Sequence, residues 1–431
     1  MRLHASTSRI AFMSLRAGFS RRNITPTEPV PLNESHWCGL SKGVLSPLYV
    51  RAVAFHGTDS AAILISCDVI ALEVELVTEI REAIARRTGV SESSILIAAT
   101  QNHSSPKIIP ADEQEQTGFD SVALVDWHRT LKNEIIEAGA EAFSRLAPIH
   151  FGYASGRVPG VAGNRRPLRS DGTAVMTWYR PDPDEIADPG LEDDTIHIVR
   201  LNDATSGEVR GVLMNFACHP NVLWTTERIS SDFPGRACQV LEKAMSSCVP
   251  VYFTGACGNI DPFKYMRVPQ NAYTAPEAFE PGAPVDLCID ESDRFGDLIG
   301  DEVLKVTQRM TATEAAGNVQ SATVHITGEL RDGVRFPDTV EIQAISVGDQ
   351  LAFVGVPGEP FLEIEHDIRA RSPFEFTYVC GQANGFSGYM PTRIAYGQGG
   401  YEVGNSWTKF GPGIGESVAD AGVEVLRKLK S

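Results

Sequence analysis

An α/β fold, layered α/β/α around a large mixed β-sheet, is what this sequence predicts, and three observations predict it. Strand-like and helix-like segments alternate along most of the chain in a βαβ rhythm. The composition is that of a protein with a large core, 42% of its 431 residues being hydrophobic and 22% charged, which suits one large or two closely joined α/β units. Four apolar, strand-like runs stop on clusters of polar, chemistry-bearing residues, and the carboxyl ends of strands are where open α/β sheets bind ligands.

The elements follow in order from these patterns. Residues 50–55 and 61–67 are apolar runs of strand length, and an amphipathic helix follows near 73–88. Residues 94–100 form the next strand, and a helix covers 127–146. The run 211–219 is a buried strand, succeeded by a helix near 234–245 and a strand at 250–254. A helix near 292–310 precedes a region from Val319 in which strands dominate, the strand 351–356 among them, until the C-terminal helix near 415–429. The Pro-, Asp- and Glu-rich stretches 182–194 and 268–284 are expected to be long surface loops serving as lids or oligomer contacts. No internal repeat or low-complexity linker divides the chain. The domain expectation is therefore an extension over 1–14 ahead of a single catalytic domain over 15–431.

The four junctions carry the functional argument. Gly211-Val-Leu-Met-Asn-Phe-Ala-Cys-His219-Pro220 ends on a histidine followed by a helix-incompatible proline, and His219 suits a metal ligand, an acid/base group or a buried histidine bonded to backbone. Ser94 to Thr100 runs into Gln101-Asn102-His103-Ser104. Residues 250–254 enter Gly255-Ala-Cys-Gly258-Asn259-Ile260-Asp261-Pro262, whose glycines let backbone N–H groups approach a ligand and whose carboxylate is Asp261. Residues 351–356 lead to Pro357-Gly358-Glu359-Pro360, where Glu359 suits a ligand or a base. Each junction alone is an ordinary turn. Histidine, glutamate and aspartate repeated at separate strand ends are the materials of a catalytic metal site with an open position for water or substrate.

Charge narrows the partners. A net charge of −17 and a pI near 5.1 argue against nucleic acid or an anionic membrane, because binding a polyanion requires a basic face. The first residues have too short an apolar core for a secretory signal, and no stretch reaches the length of a membrane span. Eight cysteines without a CxxC pair, several inside apolar runs, read as buried thiols in a reducing compartment, so a cytoplasmic location is expected. The expected partner is a small-molecule substrate, and a homo-oligomer is compatible with the long loops.

At this point the chain resembles the neutral (alkaline, non-lysosomal) ceramidases over nearly its whole length, specifically their N-terminal catalytic domain. The resemblance rests on Ala17-Gly18-Phe19, Asn23-Ile24-Thr25-Pro26, Pro47-Leu48-Tyr49, Ser66-Cys67-Asp68, Ala99 to Ser104, Asn164-Arg165-Arg166-Pro167, Asn215 to Pro220, Ser231-Asp232, Gly255 to Pro262, Pro357-Gly358-Glu359 and Gly388-Tyr389-Met390-Pro391-Thr392, in order. It implies a zinc ion held by two histidines, a glutamate and a tyrosine, and it places three of these at His219, Glu359 and Tyr389. It also implies substrate contacts at His103, Arg165 and Tyr401. Asp68, after the apolar run 62–66, and Asp232, before Pro234-Gly235, suit second-sphere acids that orient His219 or a neighbour, and equally helix or turn caps.

Two positions depart from the family. The first zinc histidine is replaced by Gln101, a neutral and weaker ligand, which is compatible with a more weakly held metal, a metal shifted toward His103, a harder divalent ion that accepts oxygen ligands, or a metal-free site. The serine of the glycine-rich loop is replaced by Asp261, a candidate base. The chain is also shorter than the family by its C-terminal immunoglobulin-like domain. The expected function is therefore a zinc- or other divalent-metal-dependent hydrolase of an amide or ester-type bond in a small polar, anionic substrate rather than ceramide, with Asp261 and His103 catalytic. Alternatives are a metal-dependent isomerase or lyase acting on a sugar-acid-like substrate, and a non-catalytic ligand-binding relative.

Overall fold

Strands buried on both faces build the centre of this molecule. The computed structural model describes residues 15–33, 40–108, 121–224, 226–267, 283–314, 317–404 and 407–430. The expected extension over 1–14, Cys38 and residues 268–282 of the second long loop lie outside them.

One eight-stranded sheet has the order β4-β3-β2-β1-β5-β7-β8-β9. Its strands are β1 (Arg16–Asn23), β2 (Tyr49–His56), β3 (Ala61–Cys67), β4 (Ile95–Ala99), β5 (Ala147–Arg157), β7 (Thr195–Asp203), β8 (Val209–Phe216) and β9 (Val249–Thr254). The two-residue β6 (Gly163–Asn164) pairs antiparallel with β10 (Ile260–Asp261). A four-stranded sheet follows, ordered β11-β12-β13-β15, from β11 (Val319–Thr327), β12 (Thr339–Val347), β13 (Leu351–Gly355) and β15 (Phe376–Cys380). The short β14 (Glu359–Pro360) and β16 (Tyr389–Met390) pair in parallel.

Alternate residues of each strand enter different cores, as a pleated strand requires. On β2, β3 and β4, residues Val50, Ile63 and Ile97 face a core shared with helices, while Phe55, Leu64 and Leu96 face a core shared with Ile345, Phe353 and Tyr378 of the smaller sheet. The smaller sheet turns Ile342, Val354 and Val379 to a further core completed by the C-terminal helix. The layered α/β plan with a large mixed sheet thus holds, and two sheets lie face to face between the helical layers.

The helices are α1 (Val74–Thr88), α2 (Val122–Ser144), α3 (Asp232–Ala244), α4 (Ala283–Arg309), α5 (Leu362–Arg371), α6 (Arg393–Gln398), α7 (Tyr401–Gly404) and α8 (Ile414–Lys430). In α1, Val77, Ile80, Arg81 and Ile84 share the buried stripe, and Gly89 ends the helix at φ 76°, its N–H reaching the carbonyl of Ala85. Helix α2 starts earlier than its periodicity predicts because Ser121 caps it, accepting the Leu124 N–H. Helix α4 starts at Ala283 rather than near Ser292. Helices α5 to α7 interrupt a region expected to be mostly strands.

Within the two larger sheets, the βαβ rhythm is real in three places among the described residues. β3 and β4, β8 and β9, and β13 and β15 are parallel pairs, with α1, α3 and α5 respectively as crossovers. The other strand pairs of the two larger sheets are antiparallel. Just past the carboxyl ends of these parallel strands lie Gln101, His219, Asp261, Glu359 and Gln382.

Candidate active site

His219 and Glu359 form the centre. His219 sits three residues beyond β8, fully buried, and its backbone N–H bonds to the Ile260 carbonyl at 3.1 Å. Its ring Nδ1 lies 2.5 Å from the Cys257 carbonyl and 3.2 Å from that of Ile260, so Nδ1 carries the proton and donates. Nε2 therefore presents a lone pair, 3.0 Å from Glu359 Oε2. Burial first, and then Arg165, lower the histidine's pKa and keep it neutral. Burial raises that of Glu359, but the bond to His219 and nearby positive charges carry it below its ordinary value, so it is ionised. An imidazole and a carboxylate this close share either a proton or a cation, and both are ordinary ligands of a divalent metal. The donor set therefore fits a divalent metal.

The other two expected ligands complete a mixed set. Gln101 follows β4 with φ 64°, rare for glutamine, and places its amide Nε2 3.2 Å from His219 Nε2. Tyr389 is registered opposite Glu359 in the β14–β16 pair and is 5% exposed. Burial, then Glu359, push its phenol well above the ordinary range. Among the described residues no three His, Cys, Asp or Glu side chains form a group that could hold a metal. The set here is instead one imidazole, one carboxylate, one amide and one phenol.

Arg165 is employed inside the protein. It is 3% exposed, and it donates from Nε to Glu402 at 2.6 Å and from Nη2 to the Gly258 carbonyl at 2.8 Å and the Tyr389 hydroxyl at 3.1 Å. Trp178, Tyr389 and Tyr401 surround it, their ring centroids 5.7, 5.5 and 6.0 Å away. Arg166 also pairs with Glu402, so one buried carboxylate serves two guanidiniums. These bonds position Tyr389 and the glycine loop, and they leave the expectation of an anionic substrate without support.

Asp261 is wholly buried. Phe263 N–H bonds to its Oδ1 at 3.0 Å, whereas Oδ2 meets no hydrogen-bond partner among the described residues. Burial lifts its pKa to about 7 against the pull of Arg165. His103, partly exposed, has its ring centroid 5.8 Å from that of His219. Tyr401, 41% exposed, stands edge-on to Trp178 and Tyr389. Cys218 and Cys257 adjoin the site, but burial raises both thiols well above the ordinary range, so neither is an activated nucleophile.

The two acids expected in the second sphere do not touch His219. Asp68 accepts from Tyr49 N–H and Arg51, and Asp232 accepts from the N–H groups of Val222, Leu223 and Phe233 and from Ser292. Asp232 thereby anchors the loop after His219. Backbone carbonyls orient the histidine itself.

No protein-family model matches the chain, and no curated protein matches it. Among solved structures it is similar to a neutral ceramidase from Pseudomonas aeruginosa, at 18% identity over 97% of this chain and 74% of that one, with a TM-score of 0.76. It is also similar to a ceramidase complexed with C2, at 17% identity over 97% and 75% of the two chains, with a TM-score of 0.74. This chain has the neutral-ceramidase fold.

Within that fold the glycine loop is packed against the Glu359 segment. A Cβ on Gly258 would stand 2.5 Å from the Glu359 carbonyl oxygen and 2.9 Å from that of Pro360. Both are backbone atoms, so the strand carrying Glu359 has to move. Gly258→Ala is expected to cost about 1–3 kcal/mol in urea unfolding and to weaken metal binding together with it.

Two neighbours of the site escape the sequence motifs that mark it. Glu402 sits in a four-residue helix with no strand ahead of it, and only its pairing with Arg165 and Arg166 gives it away. Gln382 follows β15 and reaches Gln101. The sequence Gly381-Gln382-Ala383-Asn384-Gly385 is one more polar junction after an apolar strand, overlooked because it holds neither histidine nor acid.

Proposed function

We infer that the chain is a metal-dependent hydrolase acting on an amide or ester-type bond of a small polar substrate. The buried imidazole of His219 facing the Glu359 carboxylate at 3.0 Å supports this reading, because such a pair suits a divalent cation. The zinc or other divalent cation would be held by His219, Glu359, Tyr389 and Gln101. When bound, such an ion supplies Lewis acidity to the scissile carbonyl and acidity to water.

The chain's own residues do the rest. Cys257 and Ile260 carbonyls fix the His219 tautomer, and Arg165 fixes Tyr389. Asp261 stands where the ceramidase resemblance places a serine. With a pKa of about 7 it can take a proton from the attacking water and return it to the leaving nitrogen or oxygen, both near neutral pH. His103 and Tyr401, open to solvent, receive the substrate. The solved structures this chain is similar to are ceramidases, but Asp261 for serine favours another acyl compound over ceramide. Among the described residues no helix is long and apolar enough to cross a membrane.

Metal removal tests this reading. Protein purified without chelator is expected to hold about one equivalent of divalent metal by mass spectrometry. It should hydrolyse members of a panel of chromogenic esters and anilides, and lose that activity on dialysis against a chelator. Absence of metal even after reconstitution sinks it in favour of a metal-free enzyme or binding protein.

A further inference from the structure

The segment after β15 is built into the site more deeply than any motif announces. Gly381 N–H bonds to the Thr254 carbonyl at 3.0 Å, Gln382 N–H to that of Gly358 at 2.9 Å, and Asn384 N–H to that of Ile97 at 2.7 Å. Ala99 N–H in turn bonds to the Gln382 carbonyl at 3.0 Å. Gln382 thus ties the end of β4, which precedes Gln101, to the turn that carries Glu359. It does so at φ 51°, so two glutamines in left-handed conformations face each other. Such conformations are costly and persist where the surroundings impose them.

Their side chains meet. The amide of Gln382 lies 2.6 Å from Gln101 Oε1, and Gln382 Oε1 is buried without a hydrogen-bond partner among the described residues. An amide exchanges its oxygen and nitrogen ends by a half-turn, and its orientation follows from the bonding around it. With the pair as it stands, Gln101 offers N–H to the lone pair of His219. Presenting oxygen to a cation requires Gln101 to turn over, and its NH2 then needs an acceptor where Gln382 now sits. Gln382 can supply that acceptor by turning its unpartnered Oε1 inward. Leucine or methionine there could not.

We propose that Gln382 is a positioning residue that holds Gln101 with its amide oxygen toward the metal, and that this amide pair shifts the site's preference toward harder, oxygen-accepting divalent ions such as Mn2+, with Co2+ as the spectroscopic probe. The inference rests on the metal-site reading above. It concerns binding and is testable without a substrate.

The test is competition binding of Mn2+, Co2+ and Zn2+ to apo-protein against a chromophoric chelator, with visible spectra of the Co2+ form and thermal unfolding of each apo variant. Gln382→Leu is expected to weaken Mn2+ and Co2+ binding about 10- to 100-fold, the usual loss when a ligand's supporting partner is removed, and to shift the cobalt bands. Gln382→Glu, an acceptor only, should rescue the parent's affinity and spectrum. Gln101→His should favour Zn2+ and make affinity insensitive to Gln382→Leu in the double variant. Equal affinities and identical cobalt spectra for parent and Gln382→Leu overturn the inference while leaving the metal site in place. A folded Gln382→Glu variant that binds no better than Gln382→Leu also overturns it. A parent that binds none of the three ions, with His219→Ala indistinguishable from it, overturns the metal reading and this inference together.

Discussion

Glu359→Gln is expected to abolish retention of a divalent metal while leaving the apo-protein at least as stable as the parent, and His219→Ala to abolish it while destabilising the fold by about 3–5 kcal/mol. Both variants remove a ligand, but they leave different residues behind. A glutamine at 359 can donate its N–H to Nε2 of a neutral His219, which lies 3.0 Å from Glu359 Oε2 in the parent, so the contact is kept without a buried carboxylate. Alanine at 219 opens a cavity at a fully buried position and leaves the Cys257 and Ile260 carbonyls without their donor. Metal content by mass spectrometry and the melting temperatures of the apo-proteins check both halves. Had the parent's histidine been a protonated ion-pair partner, Glu359→Gln would strand a buried imidazolium and lower the melting temperature. A fall of that kind, with metal content unchanged, would refute the site.

The strand-end junctions made most of this site legible in the sequence. Apolar runs that stop on polar residues are what a βαβ unit must show, since the strand is buried on both faces and its carboxyl end is open. His219, Asp261 and Glu359 were found that way, and their strands lie within a residue or three of the expected bounds. Topology was less legible. Most of the larger sheet is antiparallel, and buried strands have the same apolar composition in either direction, so the rhythm of elements overstated the parallel pairing. The second sheet layer escaped for the same reason: Phe353 and Tyr378 look like core residues whichever layer they face.

Roles were less legible than places. Arg165 reads as a substrate-facing cation until Glu402 is found beside it, and Glu402 lies 237 residues away in sequence. Asp68 and Asp232 adjoin site motifs yet bond to backbone and to Arg51. Gln382 shows no titratable chemistry, only a position that closes the space between two strand ends. Such pairings are fixed by tertiary contacts, which spacing along the chain does not record.

Asp261→Asn should lower turnover about 10²- to 10⁴-fold, the usual share of general acid–base catalysis, with metal content intact, and should remove the limb of the pH–rate profile that titrates near pH 7. It also makes a stability prediction that needs no substrate. Burial lifts the carboxyl from its ordinary 3.8 to about 7, so the folded state binds this proton more tightly than the unfolded one. The contribution to stability is therefore full below about pH 3.9 and is lost as pH rises through 7, by roughly 4 kcal/mol if the whole gap is expressed. Asparagine has the same shape and no proton to lose. The variant should gain on the parent steadily between pH 4 and 8 in denaturant unfolding, and the difference should flatten above pH 8. A constant difference across that range would mean that Asp261 is ionised throughout, and it would then have to stand in the metal's ligand set rather than serve as the base.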